Sequence, residues 1–301
     1  MKKIALTAAS ALAFALAACG SADDASEDAM ADTVEMPADE AMAGYRRYRF
    51  FANEERVRGR LPDGARGLFT RMGNAYPKLD WAPQFLRAKT TLLALGRSSG
   101  EAYADAVSAT SRGVRAGIYT RHLEEALQGH RAEQRYVDAM RDAPAEDALS
   151  RAQYADLKIW LPGDILTKVD RTSMAVSLEA REPLLDYRLI EFAAGLPASM
   201  RVKRGTGKVI MKQAMERYLP HDILYRPKMG FVTPVSAWFR GPLVEQAKGL
   251  ATSSTLARSG WFDMAEIERI VAAHQSGRRD HGRLIWQFFM LEKSLAKLFG
   301  I

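Results

Sequence analysis

The sequence predicts a mainly α-helical chain. Three observations carry this expectation. Apolar residues recur at three- and four-residue spacing in segment after segment, Pro or Gly separates those segments, and neither a convincing run of alternating strands nor an internal repeat appears in the 301 residues. The length suffices for a large core or two domains, and 48% hydrophobic with 26% charged residues is ordinary for a globular protein.

The first element is not part of the expected core. Lys2 and Lys3 precede an apolar run from Ile4 to Ala18 that ends in Leu16, Ala17, Ala18, Cys19. The run is short for a transmembrane helix, and it resembles a bacterial lipoprotein signal over residues 1–18, with Cys19 as the lipidated N-terminus and a membrane-anchored location. Cys19 is the single cysteine, which excludes an intrachain disulfide and a zinc site built from several cysteines.

Residues 19–43 read as an acidic, disordered tether, with eight acids and no Lys or Arg between Ser21 and Ala43. From Gly44 onward, 41 basic residues stand against 28 acidic ones, a balance that suits a nucleic acid, a membrane surface, a phosphate-bearing ligand or simply Arg-rich helix faces. No helix-turn-helix, zinc finger or RNA-binding aromatic pattern supports nucleic acid.

Helical periodicity then runs around Phe69 to Met72, Phe85 to Leu95, Tyr103 to Val107 and Leu123 to Leu127. Pro162 and Gly163 place Asp164 as the expected N-cap of a helix running through Val169 into DRTSMAVSLEAREPLLDYRLIEFAAGLP, residues 170–197. In that stretch Met174, Val176 and Leu178 offer an apolar face beside Arg171, Glu179 and Arg181. Pro183 stops the first helix, and Asp186 caps a second that Gly195 and Pro197 close. Further helices are expected over Lys208 to Leu219, Pro242 to Leu250, Met264 to His274 and Arg283 to Phe299. By spacing alone the charges of residues 171–181 fit either an anion site or a structural ion-pair cluster.

This stretch resembles the signature of the synthetase domain of glutamine-hydrolysing asparagine synthetases, approximately [DN]-[RK]-x-S-M-x-x-S-L-E-x-R-x-P-[FL]-L-D, and every fixed position is present. GTGK at 205–208, RPKMGFVTP at 226–234 and WQFFMLEKSLAKLF near the end extend the likeness over roughly residues 44–299. Within that family, GYRRYRFFANEERV and YPKLDWAPQFLRAKTT are similar to amidotransferases that accompany exosortase systems.

The resemblance implies the helical C-terminal part, residues 44–301, of an α/β ATP-pyrophosphatase domain whose sheet and phosphate loop, S-G-G-x-D-S, are not in this sequence. It implies ATP and Mg²⁺ as cofactors and an acyl-adenylate of aspartate or a related acid, attacked by ammonia released from glutamine. The family's glutaminase nucleophile, a cysteine directly after the initiator methionine, has Lys2 in its place here. Lys208 is the catalytic candidate, at a glycine-flanked turn (Gly205, Gly207) opening a helix. Arg171, Glu179 and Arg181 are the nucleotide- or substrate-binding candidates. ADEAMAGY, laid against the family's S-G-[DE]-G-[GS]-D-E-L-F-x-G-Y, makes Asp39 the metal candidate; Asp39 and Glu40 read equally as the last acids of the tether. Against this enzyme reading stands a lipid-anchored, non-catalytic helical domain that binds a partner.

Overall fold

The computed structural model describes residues 43, 45–62, 64–77, 89–203, 206–226 and 233–299. The expected signal, Cys19, Asp39 and Gly205 lie outside them, as does the tether up to residue 42. In chain order the helices are α1 (Arg46–Arg58), α2 (Ala65–Ala75), α3 (Lys89–Leu95), α4 (Ser99–Val107), α5 (Arg112–Ile118), α6 (Arg121–Leu127), α7 (Gln134–Arg141) and α8 (Ala148–Lys158). A π-helical turn, Leu161–Leu166, leads into α9 (Thr167–Met174), and a 3₁₀ turn, Pro183–Leu185, into α10 (Tyr187–Ala194) and α11 (Ala198–Arg201). After a two-residue hairpin, β1 (Val202–Lys203) with β2 (Thr206–Gly207), come α12 (Val209–Met215), α13 (His221–Leu224), α14 (Val235–Arg240), α15 (Val244–Ala251), α16 (Ser254–Ser259), α17 (Met264–Gln275) and α18 (Gly282–Phe299). The expected mainly helical class is what the described residues adopt.

The chain divides into two compact units, Met1–Val107 with Ala132–Phe231, and Ser108–Arg131 with Val232–Ile301. In the second unit α14 to α18 close on a core of Phe239, Leu250, Leu256, Ile267, Ile285 and Phe288. The α5–α6 segment joins this core through Thr120 N–H to the Trp261 carbonyl at 2.9 Å and Asp263 N–H to the Ile118 carbonyl at 2.8 Å. Asp263 also caps α17, its carboxylate accepting from the Ala265 and Glu266 amides.

The first unit packs Tyr45, Tyr48 and Phe51 of the α1 region against Tyr103 of α4, Met140 of α7 and Leu149, Ala152 and Ala155 of α8. Ala43, the last residue of the expected tether, is buried in this same cluster. A second cluster, Phe69, Leu92 and Leu95, joins α2 to α3. That contact is close because Gly73 and Gly96 have no Cβ: one added at Gly96 would stand 2.8 Å from the Thr70 amide nitrogen.

Two helix boundaries differ from the sequence expectation. Asp164 does not cap a new helix. The chain continues from α8 through the π turn into α9, and Asp164 lies inside that turn, paired with Lys168 at 3.0 Å. Pro162 lacks an N–H and would clash in a regular α-turn; the wider π turn accommodates it. The helix expected to reach Pro183 ends instead at Met174. The Leu178 amide donates to the Ser173 carbonyl at 3.0 Å and the Ser177 amide to the Met174 carbonyl at 3.0 Å, with Ser177 left-handed at φ 59°. This is a Schellman stop with serine where glycine is usual. Its consequence is that Val176 and Leu178 are 75% and 62% exposed and do not form the expected core face.

Candidate functional site

The two segments that carry the candidate residues are both anchored on α8. Toward its N-terminal half, Arg201 buries its guanidinium against α8, donating to Ser150 Oγ at 2.6 Å and to Gln153 Oε1. Arg201 ends α11 and is followed directly by the hairpin whose β2 precedes Lys208. Toward the other end, α8 runs through the π turn into α9, which carries Arg171. The helices that follow the two segments also meet: Leu189 and Ala193 of α10 pack with Ile210 and Met211 of α12.

What fixes α8 is a buried polar cluster that the sequence reading did not single out. Asp156 is 0% exposed, and its Oδ2 accepts from Arg47 Nη2 at 3.0 Å, from the Tyr48 hydroxyl at 2.6 Å and from the Tyr103 hydroxyl. Arg47 stands over the rings of Tyr45 at 4.2 Å and Trp160 at 4.3 Å. Burial alone would pull the Arg47 pKa down, yet Asp156 and the tyrosines around it hold it well above its ordinary value. Burial first and Asp156 second push the Tyr103 phenol up, so its hydroxyl stays protonated and donates to Asp156. The separation of 109 residues between Arg47 and Asp156 hid the pair. The hint available was the run of Tyr and Arg from Tyr45 to Tyr48, denser than a solvated helix start requires.

Lys208 is half-buried and caps α12 with its own backbone, left-handed at φ 55° and ψ 34°. The expected glycine-made turn is therefore made at this position by the lysine itself, while Gly207 pairs with Val202 in the hairpin. Arg171 is exposed, and its guanidinium makes no hydrogen bond or ion pair among the described residues. Glu179 and Arg181 lie in the extended segment after the Schellman stop and pair with each other at 3.2 Å, both open to solvent. They are not on one helix with Arg171, and they do not brace that helix against its neighbours, because the chain leaves the helix before reaching them. Asp186 is a cap as expected, accepting from the Arg188 amide at 3.0 Å and gripping the Arg188 guanidinium at 2.7 Å and 2.9 Å. Those hydrogen bonds hold its carboxyl below the usual range.

Arg171, Glu179 and Arg181 are exposed, Lys208 is half-buried, and the ion pair formed among these four is Glu179 with Arg181. Among the described residues no group of three or more His, Cys, Asp or Glu is arranged to hold a metal ion. The described residues thus supply no ready-made metal cluster for ATP–Mg²⁺. No helix of the described residues is long and apolar enough to cross a membrane.

Comparison with known proteins bears on the same stretches. A Mycobacterium bovis protein provisionally described as an asparagine synthetase (glutamine-hydrolyzing) is 38% identical over 176 residues, 56% of this chain and 27% of the relative. The Bacillus subtilis asparagine synthetase (glutamine-hydrolyzing) 1 is 30% identical over 149 residues, 49% of this chain and 23% of the relative. The chain thus covers about a quarter of the length of these relatives. No solved structure matches. The family described as Asparagine synthase matches residues 36–296, which takes in α1, the buried Arg47–Asp156 cluster, the signature at 170–186 and Lys208. With the family match covering most of the sequence and the signature complete within it, the chain belongs to the asparagine synthase family.

Proposed function

We propose that the chain is the helical part of an asparagine synthase (glutamine-hydrolysing)-type amidotransferase domain. The chemistry is ATP-dependent amidation of aspartate or a related acid through an acyl-adenylate, with ammonia as the nitrogen donor. One observation carries the reading: the complete signature at 170–186 within a family match over residues 36–296. A carboxylate is a poor acyl donor; its attack on ATP would release pyrophosphate and leave an acyl-adenylate from which ammonia displaces AMP, and cations such as Lys208 and Arg171 suit the negative charge that develops on the departing pyrophosphate. Because S-G-G-x-D-S is not in the sequence, the chain alone is inactive on this reading. Joined to a segment bearing S-G-G-x-D-S, it is expected to release pyrophosphate from ATP with aspartate and ammonia. A folded hybrid that binds ATP and releases none would count against the proposal.

A second reading, a lipid-anchored binding domain, draws support from the exposure of Met174, Val176, Leu178, Tyr187 and Phe192 around the signature. Its anchor is a lipid on Cys19, motivated by Lys2, Lys3 and the Leu16–Cys19 sequence. Labelled palmitate should enter the wild type and not Cys19→Ser. An unlabelled, soluble product that keeps Met1 rules the anchor out.

A further inference from the structure

We propose that His274 works a proton-operated latch: its neutral ring holds the turn Asp280–Gly282 against α14, and a second proton on the ring releases that turn. The turn joins α17 to α18, and every group involved belongs to the second unit.

The latch is built on a ring with both nitrogens committed. His274 is 0% exposed near the end of α17. Its Nε2–H donates to the Ser236 carbonyl of α14 at 3.1 Å, and its Nδ1 accepts from the His281 amide at 3.1 Å. Around this ring the turn closes on α14. Asp280 Oδ1 accepts from Ser236 Oγ at 2.8 Å and from the Gly282 amide at 2.9 Å. The approach is so close that a Cβ added at Gly282 would stand 2.7 Å from Ser236 Cα. The first half of the connection is held differently, by the Gly277 amide on the His274 carbonyl at 3.1 Å and the Arg279 amide on the Ala273 carbonyl at 3.2 Å. Those backbone bonds do not titrate, so release is confined to the second half.

A second proton has to go to Nδ1, the nitrogen that carries the lone pair. The new N–H then points at the His281 amide and at Arg240 Nη2, 3.4 Å from Nδ1, so donors face a donor and the acceptor that held the turn is gone. Asp280 Oδ1, already shared by Ser236 and Gly282, lies 3.5 Å from Nδ1 and has to shift to accept the new hydrogen bond. Arg240 from α14 and Asp280 from the turn are the charges that face the ring, while α15 and α18 bring apolar Ala247, Leu250 and Ile285 to the core beside α17. Burial first and Arg240 second hold the His274 pKa below its ordinary 6.5, against Asp280 and the Ser236 carbonyl. Burial would raise the Asp280 carboxyl, but the Gly282 amide, the Ser236 hydroxyl, Arg240 and His274 keep it below its usual range, so it stays charged while His274 titrates. Once the turn opens and the ring is solvated, it titrates near 6.5. The proton therefore prefers the open turn, whose population rises by up to about tenfold per pH unit below that value.

The test is hydrogen exchange of the full chain from about pH 7.5 down to about pH 5, read as protection factors of single amides. Protection of the His281 and Gly282 amides is expected to fall by up to about tenfold per pH unit below 6.5, while the Gly277 and Arg279 amides keep theirs. In His274→Gln the side-chain amide still accepts from His281 and donates to Ser236, so the two amides should stay protected at every pH. His281→Gln removes the neighbouring imidazole and should leave the Gly282 profile as in wild type. If His274→Gln does not fold, Asp280→Asn carries the test: losing the charge that favours the protonated ring should move the release to lower pH. Flat protection in wild type overturns the proposal. So does a wild-type profile in His274→Gln, a profile abolished by His281→Gln, or a release that Asp280→Asn leaves at the same pH.

Discussion

Replacing Asp156 by Asn keeps the side-chain volume and removes the charge on which Arg47, Tyr48 and Tyr103 converge. The partner left behind is a guanidinium whose side chain is 4% exposed, so it cannot recover its hydration. Breaking a buried pair from one side costs about 3–5 kcal/mol. The rings of Tyr45 and Trp160 still face Arg47, and such contacts are worth about 1–2 kcal/mol, which puts the expected loss near the lower end of that range. With a urea slope of about 1–3 kcal/mol per M, the unfolding midpoint of the first unit should fall by ~1–3 M. Native-state hydrogen exchange localises the effect: amides of α1 and α8 should lose protection while those of α17 and α18 keep theirs. The double variant Arg47→Met with Asp156→Leu should recover much of the loss, since it leaves no charge buried. A loss under about 1 kcal/mol, or no recovery in the double variant, would refute the claim that this pair fixes α8.

Ser177→Gly should stabilise the first unit by about 0.5–1 kcal/mol in urea titrations, because glycine adopts the left-handed stop without a Cβ penalty. Asp186→Ala should cost about 0.5–2 kcal/mol by the same measurement through the lost cap of α10; an unchanged midpoint would mean the cap is idle. His274 is buried with Nδ1 accepting from the His281 amide at 3.1 Å and Nε2 against the Ser236 carbonyl at 3.1 Å, which only the neutral ring with its proton on Nε2 satisfies. Burial, then Arg240, hold its pKa below the ordinary 6.5, against Asp280 and the Ser236 carbonyl. Its contribution is therefore complete above 6.5 and lost as the pH falls below it, and His274→Gln should remove that slope from the midpoints of the second unit.

The sequence discloses local signals faithfully where the residue type is the usual one. Asp186 before α10 and Gly195 after it mark that helix, and the apolar spacing from Arg283 onward marks α18. It misleads where an unusual residue does the job. Serine stands at the left-handed stop of α9 and lysine at the left-handed entry to α12, so the reading extends one helix too far and assigns the turn before the other to glycine. Pro162 normally announces a break, and only the packed structure shows the π turn absorbing it. Long-range chemistry is hidden for a different reason: Arg47 with Asp156, and Arg201 with Ser150 and Gln153, are pairings of distant segments that no periodicity encodes. The candidate site is legible as a list of residues through the signature, and its openness to solvent is not.

On the proposed function, a chain with the asparagine synthase family signature needs a phosphate-loop segment before it can turn over ATP. The most direct test is pyrophosphate release by the isolated chain with ATP, Mg²⁺, aspartate and ammonia, set against the Lys208→Ala variant. The account expects background release from both. Release above background from the wild type that Lys208→Ala abolishes would contradict it.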